Sequence, residues 1–352
     1  MSNAIMNQVT SLLKRLILAF IFVIAVALTT TSVVATGRAA PLRPVPHGRF
    51  DTSDAALVKM VPGFESRFAI VNGVRLHYVI GGQGPPLVLI PGHPENWWAY
   101  HKIMPTLASG FRVIVVDIRG MGSSDAPAAG YDKKTMAEDI FQLVRQLGFQ
   151  RVNMTGHDIG AMVAFSFAAN HPEATTKLVL LDVPHPDETW YQFPMLPKEG
   201  QLGEKIDAEH PPYPWWFAFH QVRGLDEKLL EGDNMREYIA WLFNYMLEDN
   251  AKIELIDLAV YGDAYSSSDD IRAGHAWYQA WPQDINDQKK YPKLTMPVLG
   301  LGAEYTGWNW LQIERNHATN FKLVKVENSG HFIVMEQPEF VVEQLMAFFR
   351  AS

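Results

Sequence analysis

The run Val152-Asn153-Met154-Thr155-Gly156-His157-Asp158-Ile159-Gly160-Ala161-Met162 passes from an apolar strand pattern, through a small-x-acid-x-small turn, into an apolar helix pattern. Gly156 and Gly160 flank the acid because strand and helix backbones approach closely at so sharp a turn. This is the geometry of a nucleophile elbow, normally written G-x-S-x-G, with Asp158 standing where serine would. The turn sets the carboxylate at the end of a strand and beside the amino end of the next helix, where free N–H groups and the helix dipole favour the ionised form. Two blander readings compete. Asp158 could simply cap a helix over Ile159–Asn170, since Asp is a good N-cap. His157-Asp158 could be a metal-binding pair, but no further histidine is suitably spaced for one.

Outward from the elbow, short apolar runs alternate with helical patterns. Phe68–Val71 and Arg75–Ile80 flank Asn72-Gly73, a strong hairpin turn. Pro86–Ile90, Arg112–Asp117, Val152–Thr155 and Lys177–Leu181 are continuous apolar runs, as expected of strands buried on both faces of a parallel sheet. Helical patterns lie near Tyr100–Leu107, Lys133–Leu147 and Ile159–Asn170. The rhythm stops near Pro184, and the chain is aromatic and helical until about Tyr291. It resumes with a strand at Pro297–Leu301, a helix at Leu311–Ala318, a strand at Phe321–Val326 and a closing helix at Pro338–Phe349. The expected fold is α/β: a doubly wound, mostly parallel sheet over residues 65–184 and 291–352, with an inserted helical cap over 185–290. Asp158, Asp182 and His331 then all stand at carboxyl ends of strands, where an α/β sheet opens its crevice.

Composition narrows the function. The 352 residues are 48% hydrophobic and 19% charged, which excludes a disordered chain. The formal charge of −8 makes nucleic acid or anionic lipid an unsuitable main partner. The absence of cysteine excludes disulfides, thiolate metal sites and thiol nucleophiles. At the amino terminus, Lys14 and Arg15 precede an unbroken apolar run, Leu16–Leu28, and then Thr29-Thr30-Thr31-Ser32-Val33-Val34-Ala35. That order is a secretory signal over residues 1–35, with cleavage after Ala35 or Ala39, and implies a secreted or periplasmic protein with no membrane association after cleavage. The alternative is an uncleaved membrane anchor. Residues 36–64, rich in Pro and Gly, read as a linker.

Four ordered motifs carry a resemblance. They are Ile90-Pro91-Gly92-His93-Pro94-Glu95-Asn96-Trp97, Asp117-Ile118-Arg119-Gly120-Met121-Gly122-Ser123-Ser124-Asp125, the elbow at Asp158, and Gly330-His331-Phe332. Together they resemble the α/β-hydrolase superfamily in its epoxide hydrolase and dehalogenase branch, over about residues 65–350. With the acid at Asp182, the pattern is most similar to secreted epoxide hydrolases of the Cif type. The resemblance implies that Asp158 attacks a saturated carbon and forms an alkyl ester, which water activated by His331 and Asp182 then hydrolyses. It also implies an oxyanion hole made by the backbone N–H groups of His93 and Ile159, and a proton donor from the cap at Tyr278. Trp97, Tyr213, Trp216 and His220 are expected to line the substrate site. The substrate would be a small apolar epoxide or halogenated compound, with water as co-substrate and no metal or organic cofactor. A homodimer and a monomer both remain open.

Several positions depart from the pattern. Trp216 stands where the branch has Tyr or His, and an indole donates a hydrogen bond but is no acid. Pro91 replaces a histidine that normally braces its loop. Many epoxide hydrolases place the acid after the strand Pro297–Leu301, where this chain offers only Glu304, a reserve partner for His331. Haloalkane dehalogenases carry Trp directly after the nucleophile. Fluoroacetate dehalogenases carry Arg there and again three residues on. Ile159 and Met162 occupy those positions, which favours epoxide opening over dehalogenation. A secreted binding or effector protein on the same scaffold is the reading from a different functional class.

Overall fold

A computed structural model describes residues 41–351, so the export signal expected at 1–35 lies outside the described residues. Eight strands form one sheet: β1 (Phe64–Val71), β2 (Val74–Gly81), β3 (Pro86–Ile90), β4 (Arg112–Val116), β5 (Val152–His157), β6 (Thr175–Leu181), β7 (Val298–Ala303) and β8 (Phe321–Val326). Their spatial order is β1-β2-β4-β3-β5-β6-β7-β8. The Asn72-Gly73 turn has positive φ at both residues and closes an antiparallel β1–β2 pair running from Phe64↔Gly81 to Val71↔Val74. β2 meets β4 antiparallel, and every pairing beyond is parallel. β3 and β5 are neighbours although β4 intervenes in sequence, so the winding reverses there. A crevice opens at their carboxyl ends.

The longer helices are α1 (Lys133–Gln146), α2 (Ile159–Asn170), α3 (Asp233–Met246), α4 (Leu255–Ala264), α5 (Ser268–Gln279), α6 (Trp281–Gln288) and α7 (Pro338–Arg350). α2 is buried from Ile159 to Ala169, as an all-apolar helix must be, and carries the elbow's far side. Between β6 and β7 the chain leaves the sheet for α3 to α6. The buried Lys133 Nζ ties this insertion to the core, donating to Asp284 at 2.9 Å and to the Trp277 carbonyl at 2.6 Å.

Three local expectations are corrected. Tyr100–Leu107 is not one helix but a 3-10 turn, Trp97–Tyr100, and a short helix, Met104–Leu107, because Pro105 lacks an N–H and serves only near a helix start. Leu311–Asn316 is a 3-10 turn rather than α-helix. Residues 41–63 are not a free linker. Leu42 exchanges backbone hydrogen bonds with the Asn244 amide, Arg236 donates to the Val45 carbonyl, and Thr52 donates to Asp263 at 2.6 Å. The side chain of Val45 is buried, so burial and satisfied polar groups hold this strap against α3 and α4.

Candidate active site

The elbow places Asp158 at φ 51°, ψ −122°, a conformation that L residues rarely adopt and that sharp functional turns retain. It is tolerated because strand and helix are locked together: a Cβ on Gly156 would lie 2.1 Å from the Gly160 carbonyl oxygen, and one on Gly160 2.1 Å from that of Ile90. Although Asp158 occupies the N-cap position of α2, its side chain makes no capping hydrogen bond. Instead Oδ1 accepts from the His93 N–H at 3.0 Å, and Oδ2 lies 3.7 Å from His331 Nε2. The capping reading therefore fails.

His331 Nδ1 donates to Asp182 Oδ2 at 2.6 Å. Asp182 is itself held by the Ala303 N–H at 2.9 Å, the Gly307 N–H at 2.8 Å and the Thr306 hydroxyl at 2.7 Å. With Nδ1 protonated by this contact, Nε2 is left as a base directed at Asp158. Glu304 is the corrected alternative. Its carboxylate is committed to Lys325 Nζ at 2.6 Å and the Asn328 N–H at 2.9 Å, and of the two candidates it is Asp182 that meets His331 Nδ1.

His93 and Ile159 lie on either side of Asp158. The His93 N–H already points at the carboxylate, and Ile159 opens α2, so its N–H is among the donors that no carbonyl of that helix accepts. Pro91 does not leave its loop unbraced. The Tyr100 hydroxyl donates to the Ile90 carbonyl at 3.0 Å, and the Tyr265 hydroxyl to that of Glu95 at 2.8 Å. The loop also explains Gly92, where a Cβ would stand 2.3 Å from that of Asp158.

A cavity of about 460 Å³ lies over Asp158 and His331. Trp216, Phe217, Leu242, Met246, Trp310 and Tyr278 are among its lining residues, and among the described residues no Lys or Arg is. The Tyr278 hydroxyl sits 3.4 Å from His93 Nδ1. Burial, and then the charge of Asp158, push its ionisation well above the ordinary tyrosine range, so it holds its proton. Burial pushes His93 down to about 3, so this ring is neutral and a polar wall. Trp216 also lines the cavity, and its Nε1–H makes no hydrogen bond among the described residues.

Two expected lining residues, Trp97 and His220, lie outside the cavity wall, and a third, Tyr213, is in it. Trp97 is fully buried beneath the loop, with its indole donating to Asp54 at 2.7 Å and its N–H to Asp117 at 2.7 Å, and does not reach the cavity. His220 is one layer behind Tyr278, their ring centroids 4.4 Å apart, because its two nitrogens are engaged by His275 and the Tyr238 hydroxyl. Tyr213 does line the cavity, but its hydroxyl donates to the Met195 carbonyl, so it is wall rather than donor.

Two features were not singled out from sequence. Tyr238 is buried and, after burial itself, the charge of Asp158 raises its ionisation further. Within the aromatic pattern of α3 nothing marked it out. Below the site, His157 Nδ1 faces Glu95 at 3.0 Å and Nε2 faces the His331 carbonyl at 2.9 Å. A carboxylate and a carbonyl can only accept, so both ring nitrogens donate and the ring is a cation. Burial opposes that charge, but the hydrogen bond and charge of Glu95 outweigh it and push His157 up to about 9. The acid three residues beyond Gly92 was the available signal.

Residues 85–338 match the alpha/beta hydrolase fold family. The chain is 34% identical over 284 residues to a soluble epoxide hydrolase of Corynebacterium sp. (strain C12), covering 80% of this chain and 96% of that one. The chain belongs to the α/β-hydrolase family, in its epoxide hydrolase and dehalogenase branch. This hydrolase is also 32% identical over 307 residues to a fluoroacetate dehalogenase of Burkholderia sp, across 82% of this chain and 95% of that one. In structure it resembles the Cif epoxide hydrolase from Acinetobacter nosocomialis, with a TM-score of 0.74 over 87% of this chain and 98% of that one. At 21% identity that likeness is one of fold.

Proposed function

We propose that this α/β hydrolase opens small, uncharged epoxides to diols. The observation that carries the reading is the line Asp158 Oδ2, His331 Nε2, His331 Nδ1, Asp182 Oδ2, with separations of 3.7 and 2.6 Å, beneath a cavity whose roof presents the Tyr278 hydroxyl. The Asp158 carboxylate attacks a ring carbon, the C–O bond breaks, and Tyr278 protonates the leaving alkoxide. The resulting alkyl ester leaves the ester carbonyl oxygen between the N–H groups of His93 and Ile159. His331 then takes a proton from water, which adds to the ester carbonyl. Collapse expels the second oxygen, which takes the imidazolium proton and leaves as the diol, and the carboxyl proton left on Asp158 returns to the Tyr278 phenolate, while Asp182 supports the imidazolium formed in between.

One observation favours a second reading, halide release by the same nucleophile: an indole, that of Trp216, is in the wall of the cavity and would suit a departing halide. A haloacid, however, would bring a carboxylate into a cavity with no Lys or Arg in its wall among the described residues and Glu304 at its side. An unpaired buried charge costs several kcal/mol. Incubation with styrene oxide and with fluoroacetate separates the readings by diol or halide formation. In His331→Gln, intact mass and peptide mapping should find the epoxide-derived ester on Asp158. An adduct on another residue, or turnover without any adduct, would overturn the scheme. From residues 1–39 alone we infer that the enzyme is exported; fractionation of an expressing host tests this by placing it in or outside the cytosol.

A further inference from the structure

Behind the cavity wall, in the insertion, three potential ligands converge: His220 at the end of the short helix Trp216–Phe219, Asp226 at the start of the helix Asp226–Leu229, and His275 in α5. All three are buried, and one ligand atom from each lies within 4.8 Å of the others. His220 Nδ1 and His275 Nδ1 face one another. Asp226 Oδ2 lies 3.1 Å from the same His275 nitrogen, yet meets no N–H or hydroxyl donor among the described residues, its carboxyl group having that of Glu227 as a neighbour. One ring nitrogen cannot satisfy both neighbours, since it carries at most one proton. Beside them Glu227 Oε2 is also shielded from solvent and accepts no hydrogen bond among the described residues.

We propose that His220 Nδ1, His275 Nδ1 and Asp226 Oδ2 bind a divalent transition-metal ion, zinc by ligand chemistry, with Glu227 or water as the fourth donor. Two imidazoles and a carboxylate are a zinc donor set. Ligands of one tetrahedral zinc stand about 3.3 Å apart when each bond is roughly 2.0–2.1 Å; the 3.1 Å between His275 and Asp226 is close to that edge, while the two Nδ1 atoms stand closer together and would have to part to admit the ion. His220 is prepared for coordination through Nδ1, because its Nε2 meets the Tyr238 hydroxyl at 3.0 Å, an outer partner of the kind that orients metal-bound imidazoles. The ion would be structural. It would clamp the segment following Trp216 to α5, whose Tyr278 lies one turn beyond His275. This site departs from the expectation of no metal, and it does not depend on the hydrolytic chemistry.

The test uses the whole chain, stripped with chelator, exposed to zinc or cobalt(II) chloride and desalted. The wild type should retain about one zinc per chain and gain thermal stability on loading. Its cobalt form should show visible bands of a four-coordinate ion and one strongly shifted exchangeable imidazole resonance for each of the two histidines. Asp226→Asn and His275→Gln should each retain zinc about tenfold or more less tightly, while Asp158→Asn should match the wild type. Retention of well under an equivalent by folded wild type would overturn the proposal. So would cobalt without shifted imidazole resonances, or equal retention in the folded variants.

Discussion

Asp182→Asn should separate the two half-reactions of the proposed scheme. The Asp182 carboxylate takes two backbone N–H groups on Oδ1, and the Thr306 hydroxyl and His331 Nδ1 on Oδ2. An asparagine must keep its carbonyl oxygen toward the two fixed backbone donors, so its amide turns to His331. An amide N–H cannot accept from Nδ1–H. The imidazole then holds its proton on Nε2, which faces Asp158 and can no longer take a proton from water. Losing the acid in a triad through this tautomer error costs about 10⁴-fold. At 1.36 kcal/mol per decade, ester hydrolysis should slow by about 10³–10⁴-fold, on the order of 4–5 kcal/mol of barrier. Attack by Asp158 uses no histidine base, so alkylation should stay within about tenfold of wild type. Rapid mixing of epoxide with excess enzyme, followed by intact-mass measurement, reads both steps. The variant should accumulate a near-stoichiometric ester at about the wild-type rate, with little diol. Loss of alkylation to the same degree would mean that Asp182 positions the nucleophile. Near-normal turnover would mean that another acid serves His331, and Glu304, held by Lys325, would have been misjudged.

Tyr278→Phe should lower kcat/KM for an epoxide by about 10²–10³-fold, as expected for loss of a general acid. Trp216→Phe should lower it less than about tenfold, the loss of one hydrogen bond; the reverse order would favour the halide reading. Gly160→Ala drives a Cβ to within 2.1 Å of the Ile90 carbonyl oxygen and should cost about 2–3 kcal/mol in urea unfolding; an unchanged midpoint would contradict the close approach. His157, raised in the fold to about 9 from an ordinary value near 6.5, binds a proton more tightly folded than unfolded. Its contribution, on the order of 3 kcal/mol, is therefore full below about pH 6.5 and is lost as pH rises through 9. Glu95→Gln should flatten that alkaline decline in melting temperature, and an identical pH slope in both proteins would count against the buried ion pair.

Much of the sheet was legible because continuous apolar runs and a Gly-flanked turn are local signals. β3, β8 and α2 start or end where their patterns do, and Asp158, Asp182 and His331 sit beyond strand ends where parallel topology gathers them. Helices broken by Pro105 or tightened to 3-10 geometry were less legible, because the competing hydrogen-bond patterns differ by one residue. The strap over residues 41–63 looked like a linker because its partners, Asn244 and Asp263, stand some two hundred residues away.

Read alone, the sequence named Asp158, Asp182 and His331 through residue type, order and the elbow's spacing, all of which are properties of neighbouring residues. Only the tertiary structure decided that Asp182 and not Glu304 reaches the imidazole. Only it turned Trp216 and Tyr278 into the cavity, and sent Trp97 and His220 behind the wall. Which way an aromatic ring faces depends on what packs against its other side. Those neighbours are brought there by chain segments far apart in sequence, so no local pattern can record them.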